Sequence, residues 1–264
     1  MIPSPQDDKE FPWWLLVAGA LFAYFTYRIV SDDIYLQVLR TLGKGVWITV
    51  IVTLVGFVSA CIIGLMLAVA TLSRFVILRQ LARFYIEIIR GIPIIVLLLY
   101  VAFVLAPGLV AGWNWMAEAL GFDPIRTRDF KLLYRAILAL TIGYSAFIAE
   151  VFRAGLQAVD KGQIEAAEAL GLGRWQRFRH IVFPQAFRMI LPPLGNDFVA
   201  MVKDSSLVSV LGVTDVTQLG KVTAAGNFRY FETYNVVALI YLVITVSLSL
   251  MLRRLERKLR QDPN

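Results

Sequence analysis

The sequence predicts an all-α integral membrane protein, and three observations predict it. Of its 264 residues, 58% are hydrophobic and only 17% are charged, with a mean hydropathy of +0.68, where a soluble domain carries about 45–50% and about 25%. The apolar residues are gathered into blocks. Val46–Ser73 and Gly91–Ala117 hold no charged side chain, and a run of about 18 or more apolar residues is long enough to cross a bilayer. The basic residues behind the formal net charge of +7 sit at the ends of these blocks, which is the placement the positive-inside rule produces. That placement argues against nucleic-acid binding as the reason for the charge.

Six spans are expected in order. Trp13–Val30 follows Asp7, Asp8, Lys9 and Glu10; an acidic start is unlike the basic leader of a secretory signal, so the segment reads as a retained span. Val46–Thr71 carries Gly56, Ala60, Gly64 and Ala68 at a spacing of four. Residues i and i+4 share a helix face, and small residues let backbones approach closely in lipid. A neighbouring helix of the same chain or a second copy would suit that face. Ile88–Leu109 is the third span, followed by an outer loop, Ala111–Leu132, with Trp113 and Trp115 as interfacial anchors. Leu133–Val151 is the fourth, with Glu150 and Arg153 at its end. Met189–Leu211 is the fifth, interrupted at Pro192 and Pro193. Asn235–Leu252 is the sixth.

Orientation follows from the cations. With the N-terminus in the cytoplasm, the inner side collects Arg74, Arg79, Arg83 and Arg90, the basic loop after the fourth span, and the Arg253–Arg260 cluster. Both termini are therefore expected inside. The single cysteine, Cys61, excludes an intrachain disulfide.

The connection 157–189 is too long for a simple turn, since loops beyond about 12–15 residues carry structure or function. Gln163–Leu170 reads as strong helix formers, and Gly171 stands where a helix stops. Arg174–Val182 places Trp175, Phe178, Ile181 and Val182 at helical spacing, and Pro184 is expected to break that second helix. Its basic, aromatic face suits anionic headgroups. The first helix presents Glu165 and Glu168 around bare alanines, a surface suited to a protein groove.

Glu165-Ala166-Ala167, three residues, Gly171, nine residues, Ile181, one residue, then Phe183-Pro184 resembles the signature loop of ABC importer permeases. Phe183 stands where that family usually has leucine. Trp47-Ile48-Thr49, Arg90-Gly91-Ile92-Pro93, Leu194-Gly195-Asn196 and Val202-Lys203-Asp204-Ser205-Ser206-Leu207 narrow the likeness to permeases for polar amino acids. The family commonly has Thr at the position of Ile92 and Gln at that of Leu97. The resemblance implies a type I importer fold with five core spans, Trp13–Val30 being an extra one. It divides the chain into 1–44 (N-terminus, extra span, outer linker), a transmembrane domain at 45–253 containing the loop 157–189, and a tail at 254–264. It implies a bacterial inner-membrane permease that carries a polar amino acid into the cytoplasm. The docking residues would be Glu165, Ala166, Ala167, Leu170, Gly171, Leu172, Ile181 and Pro184. The implied partners are a cytoplasmic ABC ATPase dimer, a second permease subunit (identical or homologous), and an extracytoplasmic substrate-binding protein. ATP and Mg would be bound by the ATPase, with no cofactor in this chain.

Ionisable groups at membrane depth cost at least about 2.5–3.5 kcal/mol and so face a bundle interior or an aqueous path. Glu150 and Arg153 share a helix face, either as a structural pair or as part of a substrate route. Asn196, Asp197, Lys203, Asp204, Ser205 and Ser206 follow the expected break, where a broken helix would line a cavity. No Walker A loop occurs in the sequence, so the chain is not expected to hydrolyse ATP. The lone His180 is a surface residue rather than a metal ligand. A partner-independent secondary transporter would need internal repeats and no docking loop. An intramembrane enzyme would need a nucleophile, base or metal set, and the sequence shows none.

Overall fold

The computed structural model describes residues 13–261, and every regular element among them is helical. In chain order these are α1 (Trp13–Ser31), α2 (Asp33–Thr71), α3 (Val76–Gly91), α4 (Ile94–Tyr100), α5 (Ala106–Leu120), α6 (Leu132–Gln157), α7 (Lys161–Ala169), α8 (Arg174–Arg177), α9 (Phe183–Asp204), α10 (Val216–Asn227) and α11 (Tyr230–Gln261). The expected N-terminal segment before Trp13 and the last tail residues, 262–264, lie outside the described residues. Among the described residues, four stretches are long and apolar enough to cross a membrane: α2, Ile94–Leu120, α6 and Tyr230–Arg257.

The bundle is centred on α2 packed along α6. Gly56, Ala60, Gly64 and Ala68 are all buried, and the small-residue face meets α6 of the same chain. A Cβ on Gly64 would come within 2.9 Å of Ile148 Cγ2 and 3.0 Å of the Ser145 carbonyl. Val52, Leu98, Leu140, Ile148 and Met201 fill the core around this seam. Residues 33–44, expected as an outer linker, are the first turns of α2. Tyr35, Val38 and Leu42 there are buried against Val216, Val236 and Val237.

Three expected boundaries move, each for a backbone reason. The third span does not start at Ile88. Ile92 and Pro93 are extended (ψ 129° and 136°), because the residue before a proline is pushed out of the helical region. The amphipathic α3 ends there, and the apolar stretch begins at Ile94 and runs through the two tryptophans to Leu120. Gly121 at φ +75° closes it. The expected loop Ala111–Leu132 is therefore helical over its first half. The fifth span is not broken at Pro192 and Pro193; α9 runs through both. The proline φ already suits a helix, and the two rings remove two amide donors without ending it. The break comes later, at the 3-10 segment Ser205–Leu211, stopped by Gly212 at φ +81°.

Pro184 does not end the second loop helix either. Residues 174–204 form one continuous helical run containing a π-turn at Phe178–Val182, in which the Phe183 amide donates to the Phe178 carbonyl five residues back. The wider turn makes room for the Pro184 ring, which would clash with a carbonyl at normal α spacing. The same arrangement precedes Pro107: a π-turn at Val101–Leu105, with the Ala106 amide donating to the Val101 carbonyl. That leaves the buried Ala102 carbonyl without its helical donor. Arg135, itself buried, supplies one at 2.9 Å from Nη1, and holds the Phe130 carbonyl (2.7 Å from Nε) and the Thr127 carbonyl as well.

The outcome not anticipated at all is α10. Its first turn presses on Gly45, where a Cβ would lie 2.6 Å from the Asp215 carbonyl carbon. Asp215 caps α10 by accepting from the Gln218 amide at 2.8 Å, and it accepts from the Tyr241 hydroxyl of α11 at 3.1 Å. Thr217 donates to that same hydroxyl at 3.1 Å. This network ties α10 to α11 beside α2.

Candidate functional site

Two features stand out: a folded hairpin at 157–189 and a cavity inside the bundle. In the hairpin, α7 is started by Asp160, whose Oδ1 accepts from the Gly162 and Gln163 amides (2.6 and 3.3 Å). It is stopped by Gly171 at φ +78°, with the Gly171 amide on the Glu168 carbonyl (2.9 Å) and the Leu172 amide on the Ala167 carbonyl (3.1 Å). These paired bonds are a Schellman closure that favours glycine. Ala167 turns inward and is buried, so the smooth knob is made of Glu165, Ala166 and Leu170, the last 80% exposed.

The hairpin is held as one body. Glu168 pairs with Arg177 at 2.8 Å, Gln185 donates to Gln163 at 2.5 Å, and Val159, Ala186 and Ile190 form a small core with Ile164 and Val182 against it. Ile181 and Leu172 are half-buried, while Pro184 is exposed. A Cβ on Gly155 would clash with Ile190, so the end of α6 and the start of α9 touch closely beneath the hairpin.

The cavity, about 570 Å³, lies where α3 gives way to α4 and faces α6 and α9. Ile94 and Leu97, just past the extended Ile92-Pro93 pair, lie over Gly143, where a Cβ would come within 2.6 Å of Ile94 Cδ1. Asp197 and Asp204, two turns apart on α9 and so on one face, line it together with Arg90, Tyr144 and Phe147. The Tyr144 hydroxyl donates to Asp204 Oδ2 at 2.8 Å. The Arg90 guanidinium sits 5.7 Å from the Phe147 ring centroid, a cation–π distance. Asp197 Oδ2 is enclosed and has no hydrogen-bond partner.

The structure thus brings two of the expected pathway residues together. The others lie elsewhere. Glu150 lines a separate cleft of about 420 Å³ with Gly155, Met189 and Pro193. Arg153 holds it through Nε at 3.0 Å and Nη2 at 2.5 Å, and also reaches Gln157 at 2.8 Å. Asn196 and Lys203 are exposed, and Ser206 is half-buried. Ser205 is buried, donating to the Val202 carbonyl at 2.7 Å. Sequence reasoning missed Arg90 and Tyr144 as cavity residues. Arg90 had a signal, a lone cation opening an uncharged run; Tyr144 had none.

A family model described as binding-protein-dependent transport system inner membrane component matches residues 60–261. The glutamine transport system permease protein GlnP of Escherichia coli (strain K12) is 36% identical over 217 residues, covering 82% of this chain and 92% of that protein. The arginine transport system permease protein ArtQ of Bacillus subtilis (strain 168) is 31% identical over 219 residues, covering 83% and 92%. Among solved structures, an amino acid ABC transporter with histidines matches at 34% identity with a TM-score of 0.70, over 84% of this chain and 96% of that one. The inward-facing MetNI methionine ABC transporter, at 23% identity and a TM-score of 0.63, shares the fold.

Proposed function

This chain belongs to the binding-protein-dependent transport system inner membrane components, and from that membership we propose how its two features divide the work of an amino-acid importer. The protein is the membrane permease of an ABC importer for amino acids, in the inner membrane. An ATPase and a substrate-binding protein are its partners by family. The hairpin 157–189 is the ATPase contact, and the chain has no ATP site of its own; ATP and Mg belong to the partner. Five core spans plus α1, with both termini in the cytoplasm, put the hairpin on the ATPase side. A second permease, identical or homologous, completes the pathway.

One observation carries this reading: α7, which bears the exposed knob, packs through Ile164 on a small core shared by the end of α6 and the start of α9, and Glu168 pairs with Arg177. A push on the knob therefore moves two spans that border the cavity. Binding and release of ATP would close and open the ATPase pair, and the hairpin would convert that motion into rocking of α6 and α9.

The cavity is read as part of the substrate route. An amino-acid zwitterion offers an ammonium to carboxylates and a carboxylate to a cation. Asp197, with its unpartnered oxygen, and Asp204 supply the first; Arg90 supplies the second. Charge-assisted hydrogen bonds of this kind are roughly twice as strong as neutral ones. The relatives' substrates, glutamine for GlnP and arginine for ArtQ, support an amino acid with a polar side chain. Glu150, already satisfied by Arg153, fits a structural pair better than a ligand contact.

The test is co-purification and uptake. Gly171→Asp puts a side chain at φ +78°, and Glu165→Lys reverses charge on the knob. Both are expected to lose the ATPase and to abolish uptake while the chain still inserts. Normal ATPase recovery and uptake in both would remove the docking assignment. Separately, Asp197→Asn is expected to raise the substrate concentration needed for half-maximal uptake by about tenfold, the equivalent of about 1.4 kcal/mol, with ATPase recovery unchanged. Unaltered uptake would take Asp197 out of the route.

A further inference from the structure

The polar side chains of the central cavity are unequal in number and kind. Among the described residues that line it, Arg90 is the one cation, Asp197 and Asp204 are the two anions, and Tyr144 is the one neutral polar group. The lining therefore carries an unmatched negative charge. It holds no carboxamide, and the single hydroxyl proton, on Tyr144, is already given to Asp204. Asp197 Oδ2 is enclosed without a partner. Between the two carboxylates the wall is apolar. Ala200 stands on the same face of α9, three residues after Asp197 and four before Asp204. Ile92 and Leu97 add apolar surface from the α3–α4 side.

We infer that the cavity selects an α-amino acid whose side chain ends in a cation after an apolar stem. The inference rests on the reading of the cavity as part of the substrate route and narrows it. Two arguments select the side chain. The first is donor counting. The zwitterionic head uses Arg90 for its carboxylate and one aspartate for its ammonium. What remains is the other aspartate, which only accepts hydrogen bonds. A cationic side chain only donates, so it is satisfied there, in a charge-assisted bond. A carboxamide side chain donates through its NH2 but leaves its carbonyl oxygen with no donor, a loss of about tenfold or more in affinity. A carboxylate side chain sets like charge against like. The second argument is length. Seven residues of α9 separate the aspartates, about 10 Å along the helix axis. A terminal cation on a stem of several methylenes lies about 6–8 Å from its own α-ammonium, at ordinary bond lengths, and a hydrogen bond at each end closes the interval. The stem then runs past Ala200, Ile92 and Leu97, as such stems lie along apolar surface while the charged end stays solvated or paired.

The experiment titrates the permease–ATPase complex in detergent, without a binding protein, with lysine, arginine, glutamine and glutamate at constant ionic strength. The unfolding midpoint reports binding, since a ligand of the folded state raises it. Lysine and arginine are expected to act at concentrations at least about tenfold below glutamine, and glutamate to have no effect. Asp197→Asn is expected to weaken the response to lysine and arginine. Glutamine or glutamate acting at the concentration of lysine or below, with Asp197→Asn weakening the response, overturns the selection for a cation and leaves the cavity on the substrate route. A response indifferent to Asp197→Asn, or none to any of the four amino acids, removes the cavity reading as well.

Discussion

At the scale of single residues, the glycines of α2 form a graded series. A Cβ at Gly56 would have its nearest neighbour, Met201 Sδ, at 3.6 Å, an ordinary contact; at Gly64 it would crowd Ile148 Cγ2 at 2.9 Å and α6 backbone at 3.0 Å; at Gly45 it would meet Asp215 and Val216 backbone at 2.6 Å. A side-chain methyl can give way and a backbone cannot. Gly56→Ala should be neutral or stabilising by up to about 1 kcal/mol, the helix-propensity gain over glycine. Gly64→Ala should cost about 1–3 kcal/mol, as overpacking does, and Gly45→Ala more. Unfolding midpoints in detergent, measured across the three variants, should fall in that order. The spacing of the stripe was legible in the sequence, but which helix it met was not. A run of small residues records how close a neighbour comes and says nothing of which neighbour. The pairing of Tyr144 with Asp204 was hidden for a related reason: the partners are far apart in the chain, and neither carries a local pattern.

At the scale of elements, the existence of helices was plain from apolar runs and their ends were not. The fourth and sixth spans lengthened into α6 and α11, because amphipathic turns outside the lipid continue a helix whose hydropathy has already dropped. Prolines misled in both directions. Pro93 breaks the helix through its effect on Ile92, while Pro192 and Pro193 ride inside α9, and Pro107 and Pro184 each follow a π-turn. A template with a period of 3.6 residues has no place for that extra residue, so Arg174–Val182 was read as a separate short helix. Arg135 shows what a π-turn requires of its surroundings. Arg135→Gln should leave the buried Ala102 carbonyl unpaired, at about 1–3 kcal/mol. A lowered unfolding midpoint in detergent, with Arg135→Lys recovering only part of it, is the expected result.

At the scale of the whole molecule, the loop 157–189 was legible because its residues stay close in sequence, whereas the cavity is assembled from α3, α6 and α9 and is visible only once they pack. The two are mechanically joined through the ends of α6 and α9, so disturbing the joint should uncouple them. Gly155→Val, which forces Ile190 away, should permit ATP hydrolysis by the assembled importer while reducing uptake per ATP consumed; an unchanged ratio would argue against a rigid linkage. The first helix stands outside this linkage. Asp32 is the single residue between α1 and α2, and most of the described α1 side chains before Arg28 are exposed. Its ties to the bundle gather at its last turn, where Ile29 is buried, Arg28 reaches Asp32 at 3.4 Å, and its guanidinium lies over the Tyr35 ring. In lipid, an apolar helix gains nothing by leaving the acyl chains for a protein surface unless it packs closely. So α1 is a detachable module. A gene shortened to begin near Asp32 should yield a chain that still folds, moves its unfolding midpoint by only a few degrees, and recruits the ATPase as before. Lineages are then free to add or discard such a leading helix without redesigning the machine behind it.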